Sequence, residues 1–503
     1  MKLKKDRSGL APCLMVLGTG SDVGKSIIVT ALCRYFANLG LDVAPYKSQN
    51  MSNNSGVTPE GLEMGRAQIV QAEAARIAPH VDMNPILLKP TSDVGSQVIL
   101  LGLAKENRTA MAYHQQKEML FKETKDALTR LRTRHDLIVM EGAGSCAEVN
   151  LIPHDIVNLP MAEFADAPVI LVGDIHRGGI FAQLIGTLAC LSSQYRQRIA
   201  GFLVNRFRGD IRLFQDGVTW IEQKTKKPVF GVLPWYNHFR IESEDSVVLE
   251  TPKSVRLEPD GRPAVAVIRI PHISNFTDFD ALAAIEDLRV YYLEAPQNLD
   301  PFAAVILPGS KNTRFDLNWL KETGWESRLT AYAQNGGHIT GICGGYQMMG
   351  GVVNDPAGLE GSPGSTQGLG LLPITTDLAA PKTTTLTRFS WGDDDGIGYE
   401  IHMGQTRRLE GRALLKIQDR NGRTIQAEDG CVSQNGRCLG TYMHGLFDTR
   451  AITARWLADI GLRHCRLPQN FGWSCKDKAY ELLVEHFQAH VDMDAITNLV
   501  LES

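Results

Sequence analysis

Two short runs in this sequence combine side chains whose types and spacing could do chemistry. Gly18–Ser26 reads GTGSDVGKS and lies between an apolar run, Leu14–Leu17, and a stretch from about Lys25 to Leu39 that ends at Gly40. Val29, Leu32, Cys33 and Phe36 form an apolar stripe on that stretch, which predicts a helix. A Gly-rich loop leaving a strand for a helix turns backbone N–H groups inward. With the helix's partial positive charge added, it holds phosphates. Lys25 would neutralise the outer phosphates and the Ser26 hydroxyl would ligate Mg²⁺. Thr19 stands where the G-x-x-x-x-G-K-S/T pattern has its first glycine, with Gly18 and Gly20 on either side. A plain Gly-rich turn would account for the glycines alone; Gly24-Lys25-Ser26 at the helix start favours nucleotide binding. A second feature supports this. Leu137–Met140 leads into Glu141-Gly142-Ala143-Gly144, putting an acid at the C-terminal edge of a buried strand. Open α/β sheets bind ligands at that edge, and an acid there can hold Mg²⁺.

The second run is Gly341–Gly345, G-I-C-G-G, after an apolar stretch ending at Ile342. A strand entering a tight Gly-rich turn around a nucleophile is a nucleophile elbow, here with Cys343 in place of serine. The N–H of Gly344 can help stabilise an oxyanion, and a helix starting near Tyr346 would lower the thiol pKa. The partner base should be a histidine on another strand end. His444, in GTYMHGLF, fits best, and His402, in GYEIHMG, is second. The chain has nine cysteines and no C-x-x-C pair, so neither a zinc site nor a disulfide framework is expected. Cys13, Cys33 and Cys190 read as small buried hydrophobes.

Elements able to position these groups follow from the pattern of apolar runs. In the first half, Leu137–Met140, Val169–Val172, Phe202–Val204 and Val229–Leu233 alternate with helix-length stretches, predicting a mostly parallel sheet covered on both faces. Charges and prolines from Glu242 to Pro263 read as a linker. A second α/β series follows with Ala264–Ile270, Val290–Leu293, Ala304–Leu307 and His338–Ile342, while Asn354–Thr384 reads as long loops and Ala479–Leu501 as helix. The expected division is residues 1–245, a linker at 246–262, residues 263–460, and a helical extension at 461–503. The chain's 503 residues suit two or three domains. A net charge of −4 argues against nucleic-acid binding through a global positive field. No apolar run reaches the ~18 residues of a membrane span. No secretory signal is expected from Met1–Leu10, and the cysteine usage suits a reducing cytoplasm.

Longer motifs extend these two sites: YKSQNMSNNSG at 46–56, EMGRAQ at 63–68, NPILLKPTSD at 84–93 and EGAGSCAEVNL at 141–151 in the first half. PHISNFTDFDAL at 271–282, LPGSKNT at 307–313, GICGGYQMMGG at 341–351, GYEIHMG at 398–404 and TYMHGLF at 441–447 follow in the second. In this order, from about Cys13 to Asp448, they resemble the cobyric acid synthase family, the glutamine-dependent amidating enzymes of cobalamin biosynthesis. The resemblance implies an α/β architecture. A dethiobiotin-synthetase-like P-loop domain with a parallel sheet precedes a class I-type glutamine amidotransferase domain. It implies ATP-dependent amidation of the b, d, e and g side-chain carboxylates of adenosylcobyrinic acid a,c-diamide, with ATP and Mg²⁺ as cofactors and the corrinoid, glutamine and ATP as small-molecule partners, and with neither nucleic acid nor membrane among them.

By position, the resemblance assigns Thr19, Gly20, Gly24, Lys25 and Ser26 to ATP, Ser26 and Glu141 to the metal, and Asn205, in NRFRGD, to the base. Asp155, in HDIVN, matches an acid implicated in catalysis; Cys343 is the glutaminase nucleophile and His444 its base. An acidic corrin requires local cations, for which Arg66, Lys89, Arg177, Arg206 and Arg208 are candidates. Two departures stand out. The family run DIDRGG has His176 in place of its second acid, and Leu446 occupies the position two after His444 where class I enzymes place the glutamate of a Cys-His-Glu triad. The third triad member is therefore unassigned. The nearest alternative is the sister enzyme that amidates only two carboxylates; the KPTSD and PHISNFTDF runs favour the four-amide reaction. A non-catalytic ATP switch of the partitioning type would leave the glutaminase half unexplained.

Overall fold

The computed structural model describes residue 3 and residues 9–92, 95–109, 116–236, 241–242 and 260–501. Of the expected linker, residues 246–259 lie outside the described residues. The first half is built on six parallel strands: β1 (Cys13–Gly18), β2 (Val43–Tyr46), β3 (Leu137–Glu141), β4 (Val169–Asp174), β5 (Ile199–Phe207) and β6 (Val229–Pro234). Their order across the sheet is β6-β5-β4-β1-β3-β2. All the residues of β1, β3 and β4 are buried, as their unbroken apolar runs require of a sheet covered on both faces. The chain leaves β1 for the β2 edge and later crosses back to β4. The order therefore switches direction beside β1, where ligands enter doubly wound sheets. Val16 pairs with Glu141 and Gly18 with Val172, so the loop after β1 emerges beside Glu141.

Helix α1 (Lys25–Asn38) starts at Gly24, whose φ of 95° is left-handed and favours glycine. Its apolar stripe, Ile28, Leu32 and Phe36, is covered by Leu483, Val484 and Phe487 of the helix Trp473–His490. The C-terminal extension thus returns across the molecule to pack on the first half, where Arg34 of α1 meets Asp477 and Glu481.

An insertion between β2 and β3 carries several of the long motifs. It contains the strand Gln49–Met51 paired with Ile86–Ser92, the antiparallel pair Ser55–Val57 and Glu63–Gly65, and helix α2 (Arg66–Ala74). It also reaches the second half: Ser55 N–H donates to Asn275 Oδ1 at 2.9 Å, and Lys382 pairs with Glu63 at 2.6 Å.

The second half has its own sheet: β7 (Ala264–Ile268), β8 (Arg289–Leu293), β9 (Ala304–Leu307), β10 (His338–Ile342), β11 (Cys431–Val432) and β12 (Cys438–Thr441), ordered β8-β7-β9-β10-β12-β11. All pairings are parallel except the edge pair β11–β12. Ile342 lies opposite Thr441, so Cys343 and His444 both leave the same edge of the sheet from neighbouring strands. Against the expectation of long loops across Asn354–Thr384, Ile374–Trp391 is one strand of a long hairpin with Asp394–Arg408. Ile374, Thr376 and Leu378 alternate inward against the second core, and that period-2 burial outweighs the Pro and Thr content.

Candidate active sites

A cavity of about 1150 Å³ opens at the C-terminal edge of the first sheet. Ser21, Asp22, Gly24, Lys25 and Ser26 of the loop line it, together with Glu141, Asp155, Arg177 and Asn205. Lys25 Nζ donates to the carbonyls of Gly20 at 3.0 Å and Gly144 at 2.9 Å, so its ammonium is held by main-chain oxygens across the loop. Ser26 Oγ donates to Glu141 Oε1 at 2.8 Å. Glu141 also accepts from Lys47 Nζ at 2.8 Å and from Gln71 Nε2 at 2.5 Å. Lys47 was not read from sequence as a site residue. The signal was present: a lysine directly after the apolar strand β2, in YKSQN.

Asn205 Nδ2 donates to the Val23 carbonyl at 2.9 Å and packs so closely on Gly24 that a Cβ there would sit 2.1 Å away. Asp155 Oδ1 accepts from the N–H groups of Val157 and Asn158 at 2.7 and 3.0 Å, which orients its carboxylate at the cavity wall. The other wall is aromatic and cationic. The Arg208 guanidinium lies 4.3 Å over the Trp235 ring, and His176 tilts against the same ring at 5.4 Å. His176 is exposed, while the neighbouring acid Asp174 accepts from its N–H and pairs with Arg206.

Four sequence-based placements change. Thr19 does not line the cavity; its N–H is taken by the Val172 carbonyl and its hydroxyl turns to Gln183. Gly20 is also outside the lining and contributes a carbonyl to Lys25 instead. Arg66 does not line the cavity; it forms a two-pronged pair with Glu242, which does, at 2.6 and 3.0 Å. Lys89 is buried at the boundary between the halves, bonded to Glu63 and Ser55 at 2.8 Å each, and lines the pocket around Cys343. For Arg66 and Lys89 a nearby carboxylate satisfies the cation, leaving it unavailable to a corrin carboxylate.

The thiol lies in the second half and lines a small pocket of about 40 Å³. Cys343 has φ 51° and ψ −108°, a strained setting for a non-glycine residue and the mark of a nucleophile elbow. The glycines around it are required by close packing. A side chain on Gly344 would meet the Ser310 backbone N at 2.7 Å, and one on Gly345 the Leu307 carbonyl at 1.9 Å. A five-residue helix, Gly344–Met348, begins directly after the cysteine.

His444 is buried, and its Nδ1 lies 2.7 Å from Asp278 Oδ2; the other oxygen of Asp278 accepts from Gly445 N–H at 3.0 Å. Burial disfavours a charged imidazole. The Asp278 carboxylate and the Cys343 sulfur outweigh it, and the pKa of His444 is raised to about 10. His402 also lines the pocket, but its Nδ1 is engaged by the Gly404 carbonyl at 2.8 Å and its ring stacks on Tyr442. Asp278 was missed as a partner because it lies 166 residues before the histidine, whereas the familiar triad spacing points to Leu446. Its only sequence signal was an acid of unassigned role within PHISNFTDFDAL.

A phosphate-loop sheet and a Cys-His-Asp elbow on a second sheet define a two-domain, nucleotide-binding glutamine amidotransferase. The family models agree. Residues 14–248 match the CobQ/CobB/MinD/ParA nucleotide binding domain, and residues 264–452 the CobB/CobQ-like glutamine amidotransferase domain. Among curated relatives, the cobyric acid synthase of Chlorobium phaeobacteroides (strain BS1) is 50% identical over 492 residues, covering 97% of this chain and 99% of that protein. Those of Syntrophobacter fumaroxidans and Salmonella heidelberg are 46% and 44% identical, each covering 98% of this chain and 99% of the relative. The chain belongs to the cobyric acid synthase family, glutamine-hydrolysing amidoligases of cobalamin synthesis. The nucleotide-binding domain implies use of ATP. No helix among the described residues is long and apolar enough to cross a membrane.

Proposed function

We propose that this protein amidates the b, d, e and g carboxylates of adenosylcobyrinic acid a,c-diamide. The observation that carries this reading is one chain holding a phosphate-loop cavity with an acid at its wall and, separately, a buried Cys-His-Asp array. A carboxylate at neutral pH is a poor electrophile and must be activated. Transfer of the γ-phosphoryl group of ATP to the carboxylate oxygen gives an acyl phosphate and ADP; ammonia then attacks the carbonyl carbon and phosphate leaves. Lys25, once released from its two carbonyls, and the loop N–H groups stabilise charge on the transferring group. Asp155 faces the space where the carboxylate would lie and can take a proton from the attacking amine. Arg177 and the Arg206 and Arg208 cluster supply cations to the corrin's acidic arms.

No group of three or more His, Cys, Asp or Glu suited to a metal exists among the described residues. The hydroxyl of Ser26 and the carboxylate of Glu141 nevertheless fit Mg²⁺. Their oxygens are 2.8 Å apart, close to the roughly 2.9 Å between adjacent oxygens of an octahedral magnesium ion. When bound with nucleotide, the ion neutralises phosphate charge.

In the second half, Cys343 Sγ attacks the glutamine side-chain amide, the oxyanion lies toward the backbone N–H groups of Gly344 and Ser310, and His444 protonates the departing ammonia. Water then cleaves the thioester to glutamate. Asp278 holds the imidazole in one orientation throughout. Lys311 and Glu360, both lining the pocket, offer opposite charges to the ends of free glutamine. Nine free cysteines fit a reducing cytoplasm.

Incubation with the a,c-diamide, ATP, Mg²⁺ and glutamine, followed by product masses over time, tests the proposal. Four successive amidations are expected. A reaction starting from the fully acidic corrin and stopping after two would support the sister activity, and ATP hydrolysis with no amide product would support a switch.

A further inference from the structure

Among the described residues, three lysines line the pocket around Cys343 against a single carboxylate, Glu360. They come from three parts of the chain. Lys89 belongs to the insertion of the first half, Lys311 to the run LPGSKNT, and Lys382 to the long hairpin of the second half. A pocket of about 40 Å³ is too small for a corrin, so its surplus of positive charge addresses a small anionic group.

The three lysines are not equivalent. Lys89 and Lys382 are tied to the two oxygens of Glu63, with Nζ–O distances of 2.8 and 2.6 Å, and Lys89 also bonds Ser55 Oγ at 2.8 Å. Among the described residues, no hydrogen bond or ion pair engages the Lys311 ammonium. Glu360, Glu63 and the Cys343 sulfur attract it across the pocket, and Lys89 repels it. Its backbone is fixed. Lys311 N–H donates to the His272 carbonyl at 2.9 Å, and the strand Gly309–Ser310 before it pairs with Ile273–Ser274. Ser310 packs against the elbow at Gly344, so Lys311 is next in the chain to an oxyanion donor. Burial and the repulsion of Lys89 hold Lys311 below the ordinary lysine value, and burial lifts Glu360 to about 7. A zwitterion supplies what both lack: a carboxylate beside Lys311 and an ammonium beside Glu360 favour their charged forms.

We propose that Lys311 binds the α-carboxylate of glutamine, backed by the field of Lys89 and Lys382, and that this contact selects the nitrogen donor. The inference deepens the amidotransferase reading above and rests on it. It makes the first half part of the glutamine site. Glu63 and Lys89 lie in the insertion between β2 and β3, and Glu63 sets the positions of both flanking lysines. The reacting amide is neutral and common to many small molecules, so discrimination has to come from the far end of the substrate. A partly buried cation that stays unpaired penalises every ligand without a carboxylate.

The full-length enzyme, with the a,c-diamide, ATP and Mg²⁺, is given glutamine mixed with an equal concentration of an analogue. One analogue is 4-aminobutanamide, which is glutamine without its α-carboxylate; the other is glutaramate, which lacks the α-ammonium. The acids formed are quantified by mass. Their ratio is the ratio of kcat/KM and does not depend on how much of the enzyme is folded. The wild type should prefer glutamine to 4-aminobutanamide by about 100-fold or more. In Lys311→Met that preference should shrink about tenfold or more, while the preference over glutaramate changes by less than about threefold. A second readout needs no turnover: alkylation of Cys343, followed on its own peptide, by anionic iodoacetate relative to neutral iodoacetamide. That ratio should fall about threefold or more in Lys311→Met. An unchanged product ratio or, for an inactive variant, an unchanged alkylation ratio would overturn the assignment. So would a wild-type enzyme that hydrolyses 4-aminobutanamide as readily as glutamine. If the wild type released no glutamate from glutamine alone, the amidotransferase reading itself would fall, and this site with it.

Discussion

At the phosphate loop the charged groups are tied to one another, whereas at Cys343 they are aligned along one axis. Lys25 is held by two carbonyls, and Glu141 accepts from Ser26, Lys47 and Gln71 at the wall of a cavity of about 1150 Å³. A nucleotide entering must exchange several of these bonds, so binding there is coupled to rearrangement. The glutaminase centre has a pocket of about 40 Å³, a buried His444–Asp278 pair and a strained nucleophile already in position. The difference matches the ligands. A large polyanion brings its own charge to compensate for bonds that break, while a small neutral amide must meet a preorganised site.

Single substitutions can break this comparison one half at a time, and the largest effects should come from the reacting groups themselves. Lys25→Ala should abolish amidation with glutamine and with free ammonia alike. Cys343→Ala should remove glutamine-dependent product, by about 10⁴-fold or more, yet leave ammonia-dependent amidation intact; both are read from product masses. If the Cys343 variant also failed with ammonia, the assignment of two separable centres would be wrong.

A smaller loss, about 10²–10⁴-fold in glutaminase turnover, is expected for Asp278→Asn, since the imidazole loses its orienting charge. The pH profile distinguishes this from simple misfolding. His444 is raised above an ordinary histidine, to about 10, so the charged form that donates to departing ammonia persists through neutrality and is lost as pH rises through that value. The ion pair's contribution to stability follows the same sign: fully present below the unfolded histidine's pKa, and lost toward pH 10. In Asp278→Asn the falling limb should move to lower pH; a limb left in place would remove Asp278 from the triad.

Structural substitutions should move stability in one half more than activity in the other. Phe487 is buried in the C-terminal helix against α1, and Phe487→Ala should cost about 3–5 kcal/mol, lowering the first thermal transition with little change in glutaminase turnover. At the other extreme, Asp166 is 85% exposed in its pair with Arg198. Asp166→Asn, which keeps a side chain tolerated at the residue's left-handed φ of 49°, should therefore stay within about 0.5 kcal/mol of wild type in a denaturant titration.

The groups legible in the sequence were those announced by local backbone demands. Lys25, Ser26 and Glu141 follow directly from strand ends with glycines beside them, and Cys343 is flagged by the glycines that its neighbours' packing requires. His444 was legible because a strand end in the same edge layer supplies it. Arg66 and Lys89 sit in motifs as suggestive as any. Their roles depend on Glu242 and Glu63, partners whose proximity no spacing rule reports. Thr19 was misplaced for a different reason: a loop position implies a phosphate contact, but the next parallel strand takes its N–H.

The sequence by itself determined the two α/β layers, the phosphate loop, the thiol elbow and the histidine that leaves the neighbouring strand. Each is encoded in a short run whose residues answer to their own backbone geometry. Tertiary structure alone decided the rest: the acid bonded to that histidine, the return of the C-terminal helix onto α1, and the charged cluster joining the halves at Glu63. Those features pair side chains 166, 319 and 443 residues apart. Their energetics come from burial and mutual satisfaction of charge, which exist only once the two sheets have packed.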